Sequence, residues 1–238
     1  MTTGIIMAAG KGSRMQPLTN HTPKPLAKIG NQTLLEINMH RLAPLVDSFV
    51  IVVYYLADQI EKYIGDTFEG KPVHYAHASG ATTGTLDAFR TGAYLNTATA
   101  KANFVVTNSD NVIGLDYYSQ LSESMTNNSN EAVLMATKLD DFEILKASGV
   151  FVVDENNYLV SVAEKSPTFV SDLVNIGLYY FPNHTLELVS PIRPAVEHEE
   201  PITDLFIDYH AKHPIKILSS TDYYCPVTTV EDLTKVQF

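Results

Sequence analysis

One stretch near the amino terminus decides the fold: Met7-Ala8-Ala9-Gly10-Lys11-Gly12-Ser13-Arg14-Met15-Gln16-Pro17-Leu18-Thr19, with Pro23-Lys24-Pro25-Leu26 shortly after it. It begins where a short apolar run, Gly4 to Ala8, ends, so the pattern predicts a glycine turn after a buried strand. Such a turn lets the backbone approach a ligand closely and points successive N–H groups inward, which makes a nest for phosphate oxygens. Arg14 and Lys24 add cations to this nest.

The spacing of the glycines excludes two common phosphate-binding motifs. Gly10-Lys11-Gly12 lacks the earlier glycine of a Walker A loop, and Met15 stands where a dinucleotide-binding loop needs glycine. For Gly10 and Gly12 alone, an ordinary turn after a strand is an equally good interpretation. The combined pattern, with its two cations, favours a phosphate cradle.

Short aliphatic runs alternate with helical patterns in the first half of the chain. After Gly4 to Ala8, the runs predicted as strands buried on both faces are Phe49 to Tyr54, Pro72 to Ala76 and Asn103 to Thr107. Between these runs, apolar residues recur at helical spacing: Leu35, Met39, Leu42 and Val46, then Leu86, Phe89 and Ala93, then Tyr118, Leu121 and Met125. The alternation predicts an α/β fold, a Rossmann-like three-layer sandwich with a mostly parallel, mixed central sheet in a single domain.

The second half of the chain has a different texture. Four further runs predict strands of a mixed sheet: Ala132 to Thr137, Gly149 to Asp154, Leu159 to Ala163 and Asn175 to Phe181, with a turn at Glu155-Asn156-Asn157. Beyond them, the pattern predicts a helix over Thr203 to His210, a strand over Lys216 to Ser219 and a last helix from near Val230.

Composition limits the partners of the chain. With 16 basic and 27 acidic residues among 238, the net charge of −11 gives no general attraction to a phosphate backbone, so nucleic acid is not an expected partner. A single cysteine, Cys225, the lack of a signal-peptide pattern and the lack of an apolar stretch near about 18 residues predict a cytoplasmic protein without a membrane partner. The sequence does not decide whether the protein forms a homo-oligomer.

At the glycine-rich stretch the chain resembles the sugar-phosphate nucleotidylyltransferase family, which has a glycosyltransferase-A-like nucleotidyltransferase fold. The family signature runs Ala-Ala/Gly-Gly-x-Gly-Ser/Thr-Arg, then Pro-Leu-Thr, then Pro-Lys-Pro, and nearly every specified position is present here. The resemblance implies that Arg14 holds the departing pyrophosphate and that Lys24 faces the charge developing on the α-phosphate. It also implies that an NTP is bound by the loop residues Ala8, Ala9, Gly10, Gly12 and Ser13.

A second segment, Thr83-Gly84-Thr85-Leu86-Asp87-Ala88, resembles the family's Leu-Gly-Thr-Ala segment. The resemblance implies that Gly84 contacts the nucleobase and that Thr85 also binds the nucleotide, although both residue types also suit an ordinary helix start. The family often places a Gln a few residues earlier to read a pyrimidine edge, and Tyr75 to Gly80 contains none. The identity of the base therefore stays open.

A carboxylate follows the fourth predicted strand in Asn108-Ser109-Asp110-Asn111. Ligands of α/β folds bind at the carboxyl ends of parallel strands, and Mg²⁺ prefers one or two carboxylates plus substrate phosphates. We therefore expect Asp110 to act in catalysis by holding Mg²⁺, with an Asx turn as the other interpretation.

A second metal carboxylate stays open. Sugar-specific family members usually end in Asp-Ile/Val-Gly-Thr-Pro-Glu-Asp-Leu and supply that carboxylate from the first position, whereas this chain has Pro226 there. Proline cannot ligate Mg²⁺. Either Asp222 is the second ligand, or Asp110 acts with phosphates and water alone.

Three segments in the family's order line its acceptor site: Ser148-Gly149-Val150, Val162-Ala163-Glu164-Lys165 and Val174-Asn175-Ile176-Gly177-Leu178-Tyr179. The resemblance implies that Lys165 binds the acceptor's phosphate. It further implies that Glu164, Asn175 and the backbone of Gly149 bind sugar hydroxyls. A solvated ion pair is the other interpretation of Glu164 and Lys165.

The resemblance implies a Mg²⁺-dependent nucleotidyltransferase that moves NMP from an NTP to a sugar 1-phosphate, releasing pyrophosphate. We expect one domain over residues 1–238, with 1–130 mainly binding the nucleotide and 131–238 mainly binding the acceptor. The ending Val227 to Leu233 also resembles cytidylyltransferases acting on a polyol phosphate or a phosphocholine-type acceptor. A non-catalytic nucleotide-sugar-binding regulator is the alternative of another class.

Overall fold

The computed structural model describes residues 1–79, 84–95, 102–189 and 200–236. Two residues of the predicted base-binding region, Gly80 and Thr83, lie outside these ranges. The strands are, in chain order, β1 (Thr2–Met7), β2 (Lys28–Ile29), β3 (Gln32–Thr33), β4 (Ser48–Val53), β5 (Thr67–Phe68), β6 (Lys71–His77), β7 (Asn103–Asn108), β8 (Asn111–Ile113), β9 (Ala132–Lys138), β10 (Gly149–Val153), β11 (Leu159–Glu164), β12 (Leu173–Phe181), β13 (Ile215–Ser219) and β14 (Tyr224–Pro226). The α-helices are α1 (Leu34–Leu42), α2 (Ala57–Ile64), α3 (Thr85–Leu95), α4 (Leu115–Asn127), α5 (Phe142–Leu145) and α6 (Thr203–His210).

Within the described ranges, ten strands form one sheet in the order β11-β10-β12-β7-β1-β4-β6-β5, with β9 paired to β12 and β13 paired to β9. The centre is parallel, since β1 lies between β4 and β7 and β4 also pairs with β6. Strand β12 joins β7 in the antiparallel direction and begins the mixed half of the sheet. This arrangement confirms the predicted fold class.

Helices cover both faces of the sheet, which makes three layers. On one face, α3 and α6 pack Phe89 and Phe206 into a core that includes Ile5 and Val106. On the other face, α1 and α4 contribute Met39 and Tyr117 to a second core. All six residues of β4 are buried, because a strand covered on both faces exposes neither set of alternate side chains.

Local signals place the ends of α1. Thr33 caps the helix: its hydroxyl accepts the N–H of Glu36 at 3.1 Å, and the Glu36 carboxylate accepts the N–H of Thr33 at 2.7 Å. The predicted stripe continued to Val46, but α1 ends at Leu42 and a 3₁₀ turn, Ala43–Leu45, follows. The helix predicted from near Val230 is likewise a 3₁₀ turn, Glu231–Thr234.

Several short elements escaped the pattern analysis. These are α2, whose Ala57, Ile60 and Ile64 do recur at helical spacing and were missed, and α5, β5 and two small ladders, β2–β3 and β8–β14, which are too short to show a period. The β8–β14 ladder brings the carboxyl-terminal part of the chain to the end of β7. No helix in the described ranges combines the length and apolar character that crossing a bilayer needs.

Candidate active site

A cavity opens at the carboxyl ends of the central parallel strands, where α/β folds bind ligands. It has a larger part of about 640 Å³ and an adjoining smaller part of about 220 Å³. The glycine loop after β1 lines the larger part, and β12 with the start of α6 lines the smaller part. Five residues line both parts: Thr85, Asn108, Asp110, Glu164 and Pro201.

Gly12 makes the glycine loop compact. It has a φ of +63°, and a Cβ at this position would lie 2.9 Å from Lys24 Cβ and 3.0 Å from Thr19 Cγ2. The Thr19 hydroxyl donates to the Gly12 carbonyl oxygen at 2.8 Å. The Pro-Leu-Thr and Pro-Lys-Pro segments therefore pack directly on the loop, which only glycine permits.

Gly10 and Ala8 have different places in this loop. A Cβ on Gly10 would touch nothing within 4 Å, and Gly10 lines the larger part together with Ala9 and Ser13, so its backbone is open to the cavity. Ala8 was also predicted to bind the nucleotide. Its side chain is only 1% exposed, packs in the core and does not line the cavity, because its backbone still continues β1 beside Val52.

Cations surround the larger part of the cavity. Arg14 is exposed there and has no hydrogen bond or ion pair with the residues that the structure describes, so its guanidinium is available to an anion. Lys24 is 9% exposed, and its ammonium forms an ion pair with the Asp110 carboxylate. The two predicted catalytic residues Lys24 and Asp110 thus meet directly.

Asp110 lies in the turn between β7 and β8, and 34% of its side chain is exposed. Within the described ranges, no group of three or more His, Cys, Asp or Glu side chains could hold a metal. A cation at Asp110 would therefore take most of its ligands from substrate oxygens and water.

Asp222 does not reach this position. Its Oδ2 accepts the N–H of Asp116 at 2.9 Å and its Oδ1 accepts the N–H of Tyr223 at 2.7 Å. These backbone donors lower the pKa of the Asp222 carboxyl. Gly114 is glycine for the same reason, since a Cβ there would lie 2.1 Å from Asp222 Oδ2. Asp222 thus caps α4 and lines neither part of the cavity. Of the two alternatives for the second carboxylate, this placement favours the one in which Asp110 acts with phosphates and water alone.

Pro226 lies next to the turn that carries Asp110. It pairs with Asn111 in the β8–β14 ladder, and the next N–H, that of Val227, donates to the Asp110 carbonyl oxygen at 3.0 Å. The backbone is therefore not shifted toward another carboxylate. A proline ring therefore stands at the position where the resemblance led us to look for a second carboxylate.

Gly84 and Thr85 connect the cavity to the segment before α6. Gly84 has a φ of +123°, and a Cβ there would lie 2.1 Å from the Glu200 carbonyl oxygen. The Thr85 hydroxyl accepts the N–H of Ile202 at 2.8 Å. Both residues line the larger part, but the missing side chain of Gly84 makes room for the Glu200 backbone. Base contact by Gly84 stays a prediction.

The predicted acceptor residues Gly149 and Glu164 are in contact in the smaller part. A Cβ on Gly149 would lie 2.8 Å from Glu164 Oε2, and the Thr203 hydroxyl donates to the same oxygen at 3.3 Å. Burial raises the pKa of the Glu164 carboxyl. Lys165 lines the larger part, and its ammonium is 3.9 Å from Oε1 of Glu164, which lines both parts.

Asn175 has a fixed orientation in the smaller part. Its Oδ1 accepts the N–H of Gly177 at 3.0 Å and the hydroxyl of Tyr179 at 2.9 Å, which leaves the amide NH₂ as the group available to a ligand. Gly177, with a φ of +77°, forms the irregular step of β12, and a Cβ there would lie 2.3 Å from Asn108 Nδ2. The bend of β12 thus brings Asn175 and Asn108 to one wall.

The residues that line the cavity without having been predicted as site residues include Tyr54, Asp87, Thr203 and Tyr224. Tyr54 directly follows β4, so the strand-end rule that selected Asp110 would have found it. Asp87 could also have been predicted from the sequence, since it lies in the first turn of a predicted helix, two residues after Thr85. Thr203 and Tyr224 enter through tertiary contacts that no sequence pattern reports.

Residues 3–237 match the profile of the family described as Nucleotidyl transferase. The chain belongs to this family. The chain is 25% identical over 229 residues to the bifunctional protein GlmU of Methanococcus aeolicus, an alignment covering 96% of this chain and 52% of that protein. It is 30% identical over 206 residues to the mannose-1-phosphate guanylyltransferase catalytic subunit beta of Drosophila melanogaster, covering 83% and 53%.

A solved structure shares the fold of this chain. UDP-glucose pyrophosphorylase in complex with UDP-glucose superposes with a TM-score of 0.84 at 17% identity, covering 99% of this chain and 96% of that one. The family membership predicted from the glycine loop is confirmed. The chain spans about half the length of the two curated relatives.

Proposed function

We propose that this nucleotidyl transferase moves the nucleoside monophosphate of an NTP to a sugar 1-phosphate, forming an NDP-sugar and pyrophosphate. One observation carries the proposal: a single cavity joins a cationic, glycine-lined end to an end lined by hydroxyl, amide and carboxylate groups. The first end suits a triphosphate and the second suits a polyhydroxylated acceptor. The relative named mannose-1-phosphate guanylyltransferase supports the same substrate class.

The glycine loop receives the triphosphate in this proposal. Backbone N–H groups of Gly10 and Ser13 face the phosphates, and Arg14 neutralises the departing pyrophosphate. Lys24 faces the α-phosphate from the floor of the cavity. The base lies toward Gly84 and Thr85.

The acceptor lies in the smaller part of the cavity. The Asn175 amide donates to one hydroxyl and the Glu164 carboxylate accepts from another, while the Lys165 ammonium holds the acceptor's phosphate at the boundary between the parts. The Gly149 backbone closes the pocket beside Glu164. This placement directs the phosphate oxygen of the acceptor toward the α-phosphorus.

The reaction is an in-line displacement. An acceptor phosphate oxygen forms a bond to the α-phosphorus, the bond from that phosphorus to its bridging oxygen breaks, and pyrophosphate leaves with the electron pair. No general base is needed, because a phosphate monoester with a second pKa near about 6 is largely dianionic at neutral pH. The protein contributes positioning and charge neutralisation.

Asp110 is our candidate for the Mg²⁺ ligand. Its carboxylate is partly exposed and lines both parts of the cavity, and Mg²⁺ takes oxygen ligands while keeping several waters, so one carboxylate with phosphates and water fits the ion. Bound Mg²⁺ would reduce the negative charge of the phosphates. The Lys24 ammonium neutralises the same carboxylate in the protein alone.

Pyrophosphate release tests the proposal. Each common NTP is combined, with Mg²⁺, with glucose 1-phosphate, mannose 1-phosphate, a polyol phosphate and phosphocholine. We expect release with a sugar 1-phosphate, its loss in Asp110→Asn, and no change in the control Asp172→Asn, whose exposed carboxylate is 4.0 Å from Lys138. Release only with the polyol phosphate or phosphocholine would establish the cytidylyltransferase alternative. Nucleotide binding without release from any pair would establish the regulator.

A further inference from the structure

A buried charged cluster lies behind the cavity and is not used in the proposed reaction. The Arg90 Nη1 is 3.2 Å from Asp87 Oδ1 and 3.1 Å from Glu200 Oε2, and its Nη2 is 3.3 Å from Glu200 Oε1. Arg90 is 7% exposed, Asp87 4% and Glu200 8%. The Arg90 guanidinium therefore joins two buried carboxylates. Asp87 lies on α3 with Arg90, and Glu200 lies 110 residues beyond Arg90 in the chain.

Backbone contacts extend this junction. The N–H of Leu86 donates to the Glu200 carbonyl oxygen at 3.0 Å, and the N–H of Ile202 donates to the Thr85 hydroxyl at 2.8 Å. Gly84 packs so closely on the Glu200 backbone that no side chain fits between them. The segment starting at Glu200 is thus held along the first turn of α3.

The joined segments form a wall common to both parts of the cavity. Thr85 and Pro201 line both parts, Asp87 lines the larger part, and Thr203 lines the smaller part. Thr203 also donates to Glu164, the predicted acceptor-binding carboxylate, at 3.3 Å. A displacement of Glu200 would therefore move groups that face each substrate.

We propose that Arg90 is a positioning residue for both substrates, because it ties Glu200 to Asp87 and so holds this common wall in one place. The proposal rests on the proposed function for the identity of the substrates. Burial of three charges is a poor way to gain stability, since apolar residues of similar volume often serve as well or better. Two buried carboxylates repel each other unless a cation holds them, and the planar guanidinium meets Glu200 through two nitrogens.

Two substitutions separate positioning from general stability. Arg90→Lys keeps the charge but cannot make the two-nitrogen contact with Glu200, and Glu200→Gln keeps the shape but removes one charge. Lys146→Met is the control, because it breaks an exposed i,i+3 ion pair between Glu143 of α5 and Lys146, the residue that follows this helix.

Steady-state kinetics gives the first readout. We expect KM to rise about tenfold or more for the NTP and also for the sugar 1-phosphate in both cavity variants, since displacements near 1 Å can cost up to about a hundredfold. The control should keep both KM values. A rise in only one KM, or a lower Tm with both KM values unchanged, would overturn the proposal.

Hydrogen exchange of backbone amides gives a readout that needs no turnover. In Arg90→Lys we expect the amides of Leu86 and Ile202, which bond across the junction, to exchange at least about tenfold faster than in the parent protein. The amide of Ala8, which donates to the Val52 carbonyl oxygen at 2.9 Å, should keep its rate and report an intact sheet. Unchanged exchange at Leu86 and Ile202 would refute the positioning role. An inactive parent protein would refute only the proposed function.

Discussion

Replacing Gly84 by alanine perturbs the contact between α3 and the segment before α6. Its φ of +123° is strained for any residue with a side chain, and the added Cβ would lie 2.1 Å from the Glu200 carbonyl oxygen. A methyl carbon and a carbonyl oxygen that are not bonded ordinarily stay more than an ångström further apart than this, so the Glu200 backbone has to move away from α3. The hydrogen bonds that cross this contact, from Leu86 and Ile202, are then lost or lengthened.

The expected cost follows from these terms. The strained φ destabilises the folded state by about 1–3 kcal/mol, and the loss of each of the two hydrogen bonds destabilises it by about 1 kcal/mol. Alanine also restricts the unfolded chain, which offsets about 0.4–1 kcal/mol of this destabilisation. The free energy of unfolding should therefore fall by about 2–5 kcal/mol, a large share of the about 5–15 kcal/mol that a domain has. Equilibrium unfolding in urea measures it.

Two other glycines separate the causes. Gly70 has a φ of +74° but open space around it, so Gly70→Ala measures the strain alone, about 1–2 kcal/mol. Gly10→Ala adds a methyl group to open space without a positive φ and should change stability by less than about 0.5 kcal/mol, while pyrophosphate release falls because the methyl points into the triphosphate site. If Gly84→Ala costs no more than Gly70→Ala, the packing argument against Glu200 is wrong.

Three further outcomes are expected. Asp222→Ala should lower the free energy of unfolding by about 1 kcal/mol at neutral pH, because α4 loses its cap. The difference between variant and parent should shrink as the pH falls below the ordinary pKa of Asp, since only the ionised carboxylate accepts both N–H groups. An altered Mg²⁺ requirement in the variant would make Asp222 a metal ligand again. Burial raises the pKa of Glu164, and in the proposed function its ionised form binds the acceptor, so kcat/KM for the acceptor should increase with pH through that raised pKa. Glu164→Gln should remove this part of the pH profile, and an identical profile in the variant would exclude the assignment. Arg14→Ala should lower kcat by roughly 10³-fold, as with charge-stabilising arginines in other phosphoryl transfers, and a loss below about tenfold would remove Arg14 from that role.

Local patterns were enough to predict the centre of the fold and much of the cavity. Strands β1, β4 and β7 are short apolar runs because helices cover both of their faces, and that burial shows in the sequence. The glycine loop is continuous in sequence, so Gly10, Ser13 and Arg14 could be assigned to one site from spacing. Asp110 followed from its place after a parallel strand. The roles of these residues stay predictions, although the structure brings them to one cavity.

What sequence could not predict depends on contacts between distant segments. A capping carboxylate and a metal ligand look alike in sequence, and only the contact of Asp222 with Asp116, 106 residues away, tells them apart. Gly84 looked like a ligand-approach glycine, whereas the close neighbour that requires it is the Glu200 backbone. The place of Ala8 was missed for a smaller reason: strand pairing continues one residue further into the loop than the motif suggests.

The β8–β14 ladder has a consequence for the order in which the protein is made and folds. The first parallel strands can pair early during synthesis, but Asp110 gains its backbone partner only when Val227 has left the ribosome. Contacts so distant in sequence form slowly, because a long loop must close before they contribute. A newly made chain can therefore pair most of its sheet before Asp110 gains this backbone contact.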